Sequence, residues 1–324
     1  MVTIRPYDAA HDEVRVFHLW EAVLAQTWPL TRRAFRHITI TGGDYQAGDH
    51  AVAQVGDQIV GFVATQTRRV PGPVALRGAI LAILVASAYQ GQGIGRSLIA
   101  WSVAHLRRQQ VGEIQLGGGG TSYFWPGVPA NLPGAWPFFL ACGWSTTETS
   151  YDLITDLHRY ATPPYVIARV QEHHIGIETA AQADAGALLT FELRHFPEWH
   201  GFFAGPFDLG EAANVVVARD GQGSIIGSAL VLDPRSRWWR GGFPWERLLG
   251  ARTGGVGTLG VMEAARGHGI GLALAARATE IVQARGLLTS YIGWTWLVDW
   301  YGKLGYRVWR EYTMSRQRFA DPVV

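Results

Sequence analysis

The chain has 324 residues, 48% of them hydrophobic, and its 28 Lys and Arg nearly balance 26 Asp and Glu for a net charge of +2. That length suits two cores of about 150 residues each, and so small a charge, with no block of like sign, argues against nucleic acid as a partner. The single cysteine, Cys142, excludes a disulfide framework and any cysteine-based metal cluster. Between Phe139 and Gly143 it reads as a small core residue. No apolar run approaches the roughly 18 residues of a membrane span, and Asp8, Asp12 and Glu13 spoil a signal-peptide pattern, so a cytoplasmic protein without membrane contact is expected.

Residues 3–6 read as a short strand, and residues 14–26 as a helix with Val16, Leu19, Trp20 and Val23 at helical spacing. A short helix over 31–38 is followed by a hairpin, 51–55 and 58–63, turning at Gly56 and Asp57. A strand over 77–85 runs into Tyr89-Gln90-Gly91-Gln92-Gly93-Ile94-Gly95-Arg96. Beyond it, Leu98, Ile99, Val103 and Leu106 give one apolar face to a helix that ends near Gly112. Strand 113–116, a flexible exit over Gly117 to Gly120, an aromatic loop over 123–129, a helix over 135–142 and a closing strand over 144–153 complete a first half.

Residues 156–164 form the expected linker, punctuated by Pro163 and Pro164. The order then repeats: strand 175–178, helix 184–196, hairpin strands 214–219 and 224–232, and a Trp- and Arg-rich insertion over 234–252. Strand 256–262 leads into Ala265-Arg266-Gly267-His268-Gly269-Ile270-Gly271-Leu272, and a helix with Ile270, Leu274, Ala278 and Ile281 on one face follows. Strand 289–293, helix 297–304 and strand 306–314 close the second half. Duplication within one chain explains the match. The alternation predicts an α/β fold of α+β, mixed-sheet type, with domains over 1–157 and 165–320.

The two glycine stretches point to a phosphate. The first turn of a helix leaves backbone N–H groups unpaired at the positive end of its dipole, and glycine lets an anion approach them. The order Gly-x-Gly-x-Gly after Gln or Arg differs from the Gly-x-Gly-x-x-Gly of dinucleotide folds and lacks the Gly-Lys-Ser/Thr of a P-loop. A nucleotide-binding redox domain is therefore disfavoured.

Gln90-x-x-Gly93-x-Gly95 and Arg266-x-x-Gly269-x-Gly271, each after an apolar strand ending in Val85 or Val261, resemble the acetyl-CoA loop of GCN5-related N-acetyltransferases. Phe138-Phe139-x-x-x-Gly143-Trp144 and Trp300-Tyr301-x-x-x-Gly305-Tyr306 resemble the same family's late helix-to-strand signature. The resemblance implies two tandem acyl-CoA N-acyltransferase-like domains and acetyl-CoA as cofactor. It further implies that backbone of Ile83, Leu84 and Val85, and of Leu259, Gly260 and Val261, pairs with the pantetheine arm. Backbone N–H groups over Gln92, Gly93, Ile94, Gly95 and Arg96, and over His268, Gly269, Ile270, Gly271 and Leu272, would hold the pyrophosphate, with Gln90–Gly91 and Arg266–Gly267 shaping the loops.

Tyr301 stands where the family often places the acid that protonates the departing thiolate, and its counterpart Phe139 has no proton to give. Transfer to a primary amine of a small molecule or peptide is therefore expected in the C-terminal half. A non-catalytic acetyl-CoA-binding sensor or structural module is the rival reading. Trp294 replaces the family's asparagine seven residues before the tyrosine. Neither cofactor strand carries Asp or Glu; Asp233, Glu246 and Asp299 are candidate bases that otherwise read as solvated surface charges. His173, His174, His195 and His200 lack a metal-ligand pattern. Trp238 to Trp245 and the loop at 123–129 suggest a partly apolar acceptor pocket, and the internal repeat suits a monomer that imitates a dimer.

Overall fold

A computed structural model describes residues 1–42, 45–69, 76–118, 122–238 and 243–319. Gly119 and Gly120 of the glycine run, and Trp239 and Arg240 of the insertion, lie outside the described residues. The chain divides into two compact units: unit 1 comprises Met1–Ser150, Gly241–Leu248 and Arg310–Val324, and unit 2 comprises Tyr151–Arg240 and Leu249–Trp309. No helix among the described residues is long and apolar enough to cross a membrane.

The elements run β1 (Val2–Pro6), α1 (Ala9–Leu24), α2 (Arg32–Arg36), β2 (Ala51–Val55), β3 (Gln58–Arg69), β4 (Leu76–Val85), α3 (Ile94–Arg108), β5 (Glu113–Leu116), β6 (Val128–Pro129), α4 (Ala135–Ala141) and β7 (Glu148–Asp156). Then follow α5 (Pro164–Glu172), β8 (Gly176–Thr179), α6 (Ala185–His195), α7 (His200–Asp208), β9 (Val215–Arg219), β10 (Ile225–Leu232), α8 (Glu246–Leu249), β11 (Thr253–Val261), α9 (Ile270–Ala284), β12 (Thr289–Thr295), α10 (Val298–Gly302), β13 (Arg307–Met314) and β14 (Arg316–Arg318). Local chemistry sets the helix starts. Asp8 accepts from the Ala10 N–H at 2.9 Å ahead of α1, and Thr31 from the Ala34 N–H at 3.1 Å ahead of α2. Pro164, expected to punctuate a linker, occupies the first turn of α5 instead, where its missing N–H costs nothing.

The sheet of unit 1 has the order β1-β2-β3-β4-β5-β14, antiparallel except for the β4–β5 pair. In unit 2 the strands run β7-β12-β11-β10-β9-β8, again with one parallel pair, β11–β12. On one face of each sheet lies the helix that follows the glycine stretch. Leu98 and Leu106 of α3 are fully buried with Val60, Val63 and Ile114, and Leu274 and Val282 of α9 with Ala218, Ala229 and Val256. Close packing is built in: a Cβ on Gly61 would stand 3.0 Å from Leu98, and one on Gly227 3.0 Å from Leu274.

The closing strands are where the fold departs from expectation. Residues 144–153 read as the last strand of the first half, yet β7 pairs with β12, from Tyr151 opposite Thr295 to Asp156 opposite Thr289. The sixth strand of unit 1 comes from the chain's end, with Arg316, Gln317 and Arg318 opposite Gln115, Ile114 and Glu113. The expected domains 1–157 and 165–320 thus differ from the compact units by these strands and by Gly241–Leu248, which belongs to unit 1. The physical reason is that alternating burial tells which face of a strand is apolar, not which edge it joins.

Glu113 anchors the exchanged strand. It is 3% exposed, takes a bond from Arg318 at 2.9 Å and lies 3.6 Å from Arg77. Ending the chain after Ser315 removes that partner and bares the edge of β5, which destabilises unit 1 by about 2–4 kcal/mol. A lowered midpoint in urea unfolding checks this; an unchanged midpoint would contradict the exchange.

Candidate active site

In unit 1, β4 and β5 pair in parallel only from Arg77–Glu113 to Ile80–Leu116. β4 continues to Val85 beside β3, so its other edge opens into a slot. At the end of that strand Gln90 Nε2 donates to the Val85 carbonyl at 3.0 Å and ties the loop back. Gly93, at φ 83°, is left-handed where a side chain would be strained, and it leads directly into α3. Ser97 is the first residue of α3 to bond back, to Gly93 O at 3.0 Å, which leaves the N–H groups just ahead of it facing outward.

A cavity of about 820 Å³ occupies the slot. Ile83, Leu84, Val85, Gln90, Gly91, Gly93, Ile94, Gly95 and Arg96 line it; Gln92 does not, its amide turning back to the Ala88 carbonyl. Phe138 and Phe139 form another part of the wall, and a Cβ on Gly95 would stand 3.0 Å from Phe138. The volume falls in the range of small-molecule sites. A narrow apolar trough ending at free N–H groups fits an acyl-CoA, whose pantetheine arm is extended and whose pyrophosphate is anionic.

Unit 2 repeats this construction with other side chains. Parallel pairing of β11 and β12 ends at Gly255–Tyr291. Three residues on, Thr258 and Trp294 both have positive φ, 49° and 53°, a costly conformation for residues other than glycine. The Trp294 N–H is held by buried Asp152 of β7 at 2.9 Å. Leu259 and Val261 are half-buried and Gly260 is buried, with Phe196 and Trp199 lying 2.6 and 3.0 Å from where its Cβ would stand. Arg266 Nε donates to the Val261 carbonyl at 3.1 Å, the same five-residue reach that Gln90 makes.

Around the second loop the two units diverge. Gly267 (φ 90°) and Gly269 (φ 79°) keep the backbone of Gly91 and Gly93, and α9 starts at Ile270. Gly93 faces open space, whereas Arg169 of α5 lies over Gly269 and donates to the Gly267 carbonyl at 3.0 Å. His173, which caps the end of α5, meets His268 edge to face at 4.5 Å. Arg96 is exposed in the first unit; its counterpart Leu272 is buried. Gly271 abuts Trp300 as Gly95 abuts Phe138.

Tyr301 and Phe139 are equally sheltered, each 7% exposed. Tyr301 sits between Trp300 and Tyr306, edge-on to both, and burial pushes its hydroxyl up to about 12. It therefore keeps its proton at neutral pH and can offer it as a donor. Tyr306 bonds Thr279 and Ser290 at 2.8 and 2.7 Å and serves the core.

Two of the three candidate bases are held in ion pairs. Asp233, expected to be a solvated surface charge, is 5% exposed; burial pushes its carboxyl up, but bonds from Arg235 and the nearby Arg285 outweigh this and hold it below its usual range. Glu246 pairs with Arg33 at 2.7 Å in unit 1, and Asp299 is exposed on α10. Among the described residues no cluster of three His, Cys, Asp or Glu is arranged for a metal.

Sequence reasoning missed Glu192. It lies on α6, fully buried, with Oε1 at 2.5 Å from Ser228 Oγ on β10. Among the described residues its Oε2 has no hydrogen-bond partner. Burial pushes the carboxyl up to about 7, and the Ser228 bond opposes this. The sequence signal was a carboxylate next to Phe191, one turn after Leu188, on the apolar face of a helix.

A raised value means that the folded state holds a proton the unfolded state releases between about pH 4.5 and 7, so stability falls as pH rises through that window. Glu192→Gln, a neutral isostere, should leave melting near pH 4 unchanged and stabilise the protein at pH 8 by up to about 3 kcal/mol. Thermal melts at the two pH values measure it, and an equal effect at both would contradict a titrating Glu192.

The sequence model of the acetyltransferase (GNAT) family matches residues 16–122 and 189–306. Among solved structures the chain is similar to a GCN5-related glucosamine N-acetyltransferase region of a fungal multi-domain GH3 β-N-acetylglucosaminidase, at 30% identity and TM-score 0.90. That match covers 98% of this chain but only 38% of the fungal one. A GCN5-related N-acetyltransferase from Sphaerobacter thermophilus is similar at 16% identity and TM-score 0.72, covering 98% of this chain and 95% of its own. A tandem GNAT protein from the clavulanic acid biosynthesis pathway is similar at 17% identity and TM-score 0.66, covering 98% of each chain. No curated protein matches. With both repeats matched by the family model, the chain belongs to the GNAT family of acetyltransferases, as a tandem protein whose cosubstrate is acetyl-CoA.

Proposed function

We propose that the chain transfers acetyl to the amine of an amino sugar of the glucosamine class, that unit 2 carries the transfer, and that unit 1 binds acetyl-CoA without turning it over. The observation that carries the division of labour is the pair Tyr301 and Phe139, equally sheltered at matching positions, only one of which has a proton to give. The acceptor class rests on the fungal relative, a glucosamine N-acetyltransferase region 30% identical over nearly all of this chain.

Bound acetyl-CoA would supply an acetyl group activated as a thioester. The residues of unit 2 would do the rest. The edge of β11 over Leu259–Val261, free of β12, offers backbone groups to an extended arm. N–H groups at the start of α9 take the pyrophosphate, and Arg169 adds a cation at the rim. Tyr301 holds its proton firmly until a sulfur anion develops beside it, and gives it up then. Positive φ at Thr258 and Trp294, on the two diverging strands, is the kind of stored strain that clusters at reacting centres.

Unit 1 supports binding alone. Its cavity has the loop, the N–H groups and Arg96, and its walls are mainly Leu, Ile, Val and Phe, with Tyr89 as the one tyrosine among them.

Tyr301→Phe should lower kcat for glucosamine acetylation by about 100-fold while calorimetric binding of acetyl-CoA persists; unchanged turnover would sink the role of the tyrosine. Placing a carboxylate in each loop separates the units. Gly269→Glu should abolish acetylation, and Gly93→Glu should remove one acetyl-CoA binding event and leave acetylation in place. The reverse pattern would assign the chemistry to unit 1.

A further inference from the structure

The strands that flank the slot of unit 2 carry no carboxylate, yet an ammonium acceptor must lose a proton before its nitrogen can attack a thioester. We propose that Glu192 accepts that proton, an assignment that rests on the reading of unit 2 as the transferring half.

Geometry brings the group to the right strand. Glu192 bonds Ser228, and Ser228 lies opposite Gly260, in the middle of the stretch that borders the slot. One helical turn after Glu192 the chain reaches Phe196 and then Trp199, and both pack onto Gly260, where no side chain intervenes. The segment from 192 to 199 is thus laid across the slot strand, and Glu192 is its carboxylate against the sheet. Oε2 is an acceptor withheld from water and given no partner among the described residues. A buried oxygen left so costs stability unless a ligand or a water uses it.

The charge environment suits the task. Elements packed on α6 carry Asp184, Glu198, His200 and Asp208 as titratable groups, and α6 itself carries Arg194 and His195. None of them perturbs Glu192, whose two influences are burial and the Ser228 hydroxyl. Its ionisation therefore falls near neutrality, where a base can both take a proton from an ammonium and return it to water.

The protons balance. Glu192 takes one proton from the ammonium, directly or through one water, and frees the nitrogen lone pair for the new N–C bond. As the C–S bond breaks, Tyr301 gives its proton to the sulfur, and the second nitrogen proton, released when the amide forms, restores the hydroxyl. Glu192 then loses its proton to solvent, so one proton leaves per turnover.

The test uses the full chain, with Glu192→Gln and Ser228→Ala. Infrared difference spectra against pH should show a carboxyl band titrating near pH 7 that is missing in Glu192→Gln; no such band would overturn the proposal. Acetylation, followed as free thiol from about pH 5.5 to 9, is measured with glucosamine or with the best acceptor of a primary-amine panel. Activity should rise with pH through about 7, and Glu192→Gln should lose that limb and about 100-fold in kcat with acetyl-CoA binding retained. In Ser228→Ala the limb should move to higher pH, because the Ser228 bond is what holds the carboxyl down. This variant carries the test if Glu192→Gln does not fold. An unaltered kcat and pH limb in Glu192→Gln would overturn the role. A chain that binds acetyl-CoA and acetylates no amine would overturn the transferase reading of unit 2 and this proposal with it, and the infrared band would tell the two failures apart.

Discussion

Both units depend on two parallel strands that part company after a few pairs. In unit 1 the pairing stops at Ile80 and Leu116, and in unit 2 at Gly255 and Tyr291. Among the described residues β4 and β11 run on beyond that point with no strand paired to their inner edge, and an unmet peptide group costs about 1–3 kcal/mol where water is excluded. The slot is thus a standing demand for something extended that hydrogen-bonds as a strand does. What surrounds it follows from that demand. The glycine loop closes the end of the slot, the next helix presents N–H groups there, and Gln90 or Arg266 pins the loop to the strand's last carbonyl.

The same scaffold with different side chains explains how two copies can differ in use. Backbone features are kept: left-handed Gly93 and Gly269, fifteen-residue α3 and α9, and ring-against-glycine contacts at Gly95 and Gly271. Side chains at the matching positions are not. Phe139 stands against Tyr301, exposed Arg96 against buried Leu272, and open space against Arg169. Backbone requirements are imposed by folding on both copies.

The sequence disclosed those parts whose cause is local. A left-handed turn before a helix all but requires glycine, so both loops could be read directly. The hairpin at Gly56–Asp57 and the apolar faces of α3 and α9 were legible from turn chemistry and period. Strand partnership was not: residues 144–153 read as a strand, and nothing in them tells β5 from β12 as a neighbour. With only three residues, β14 has too little pattern to register. A proline in its first turn disguised α5 as a linker, and Pro206 with Gly201 and Gly205 disguised α7. Among the site residues, Tyr301 was visible because its neighbours form a motif. Glu192 was not, since its significance comes from Ser228, thirty-six positions away in the chain.

The strand that unit 1 takes from the end of the chain gives a physical reason for keeping both halves together. Unit 1 takes its sixth strand from Arg316–Arg318, and the first strand of the unit 2 sheet comes from residues that directly follow the N-terminal segment, Tyr151 to Asp156. The unit 1 sheet is complete only with residues that follow unit 2 in sequence. Loss of the C-terminal segment would leave an open edge on β5 and, at Glu113, a buried carboxylate without Arg318. The fold of unit 1 therefore depends on the chain that runs on through unit 2, which ties the two repeats together whatever each slot holds.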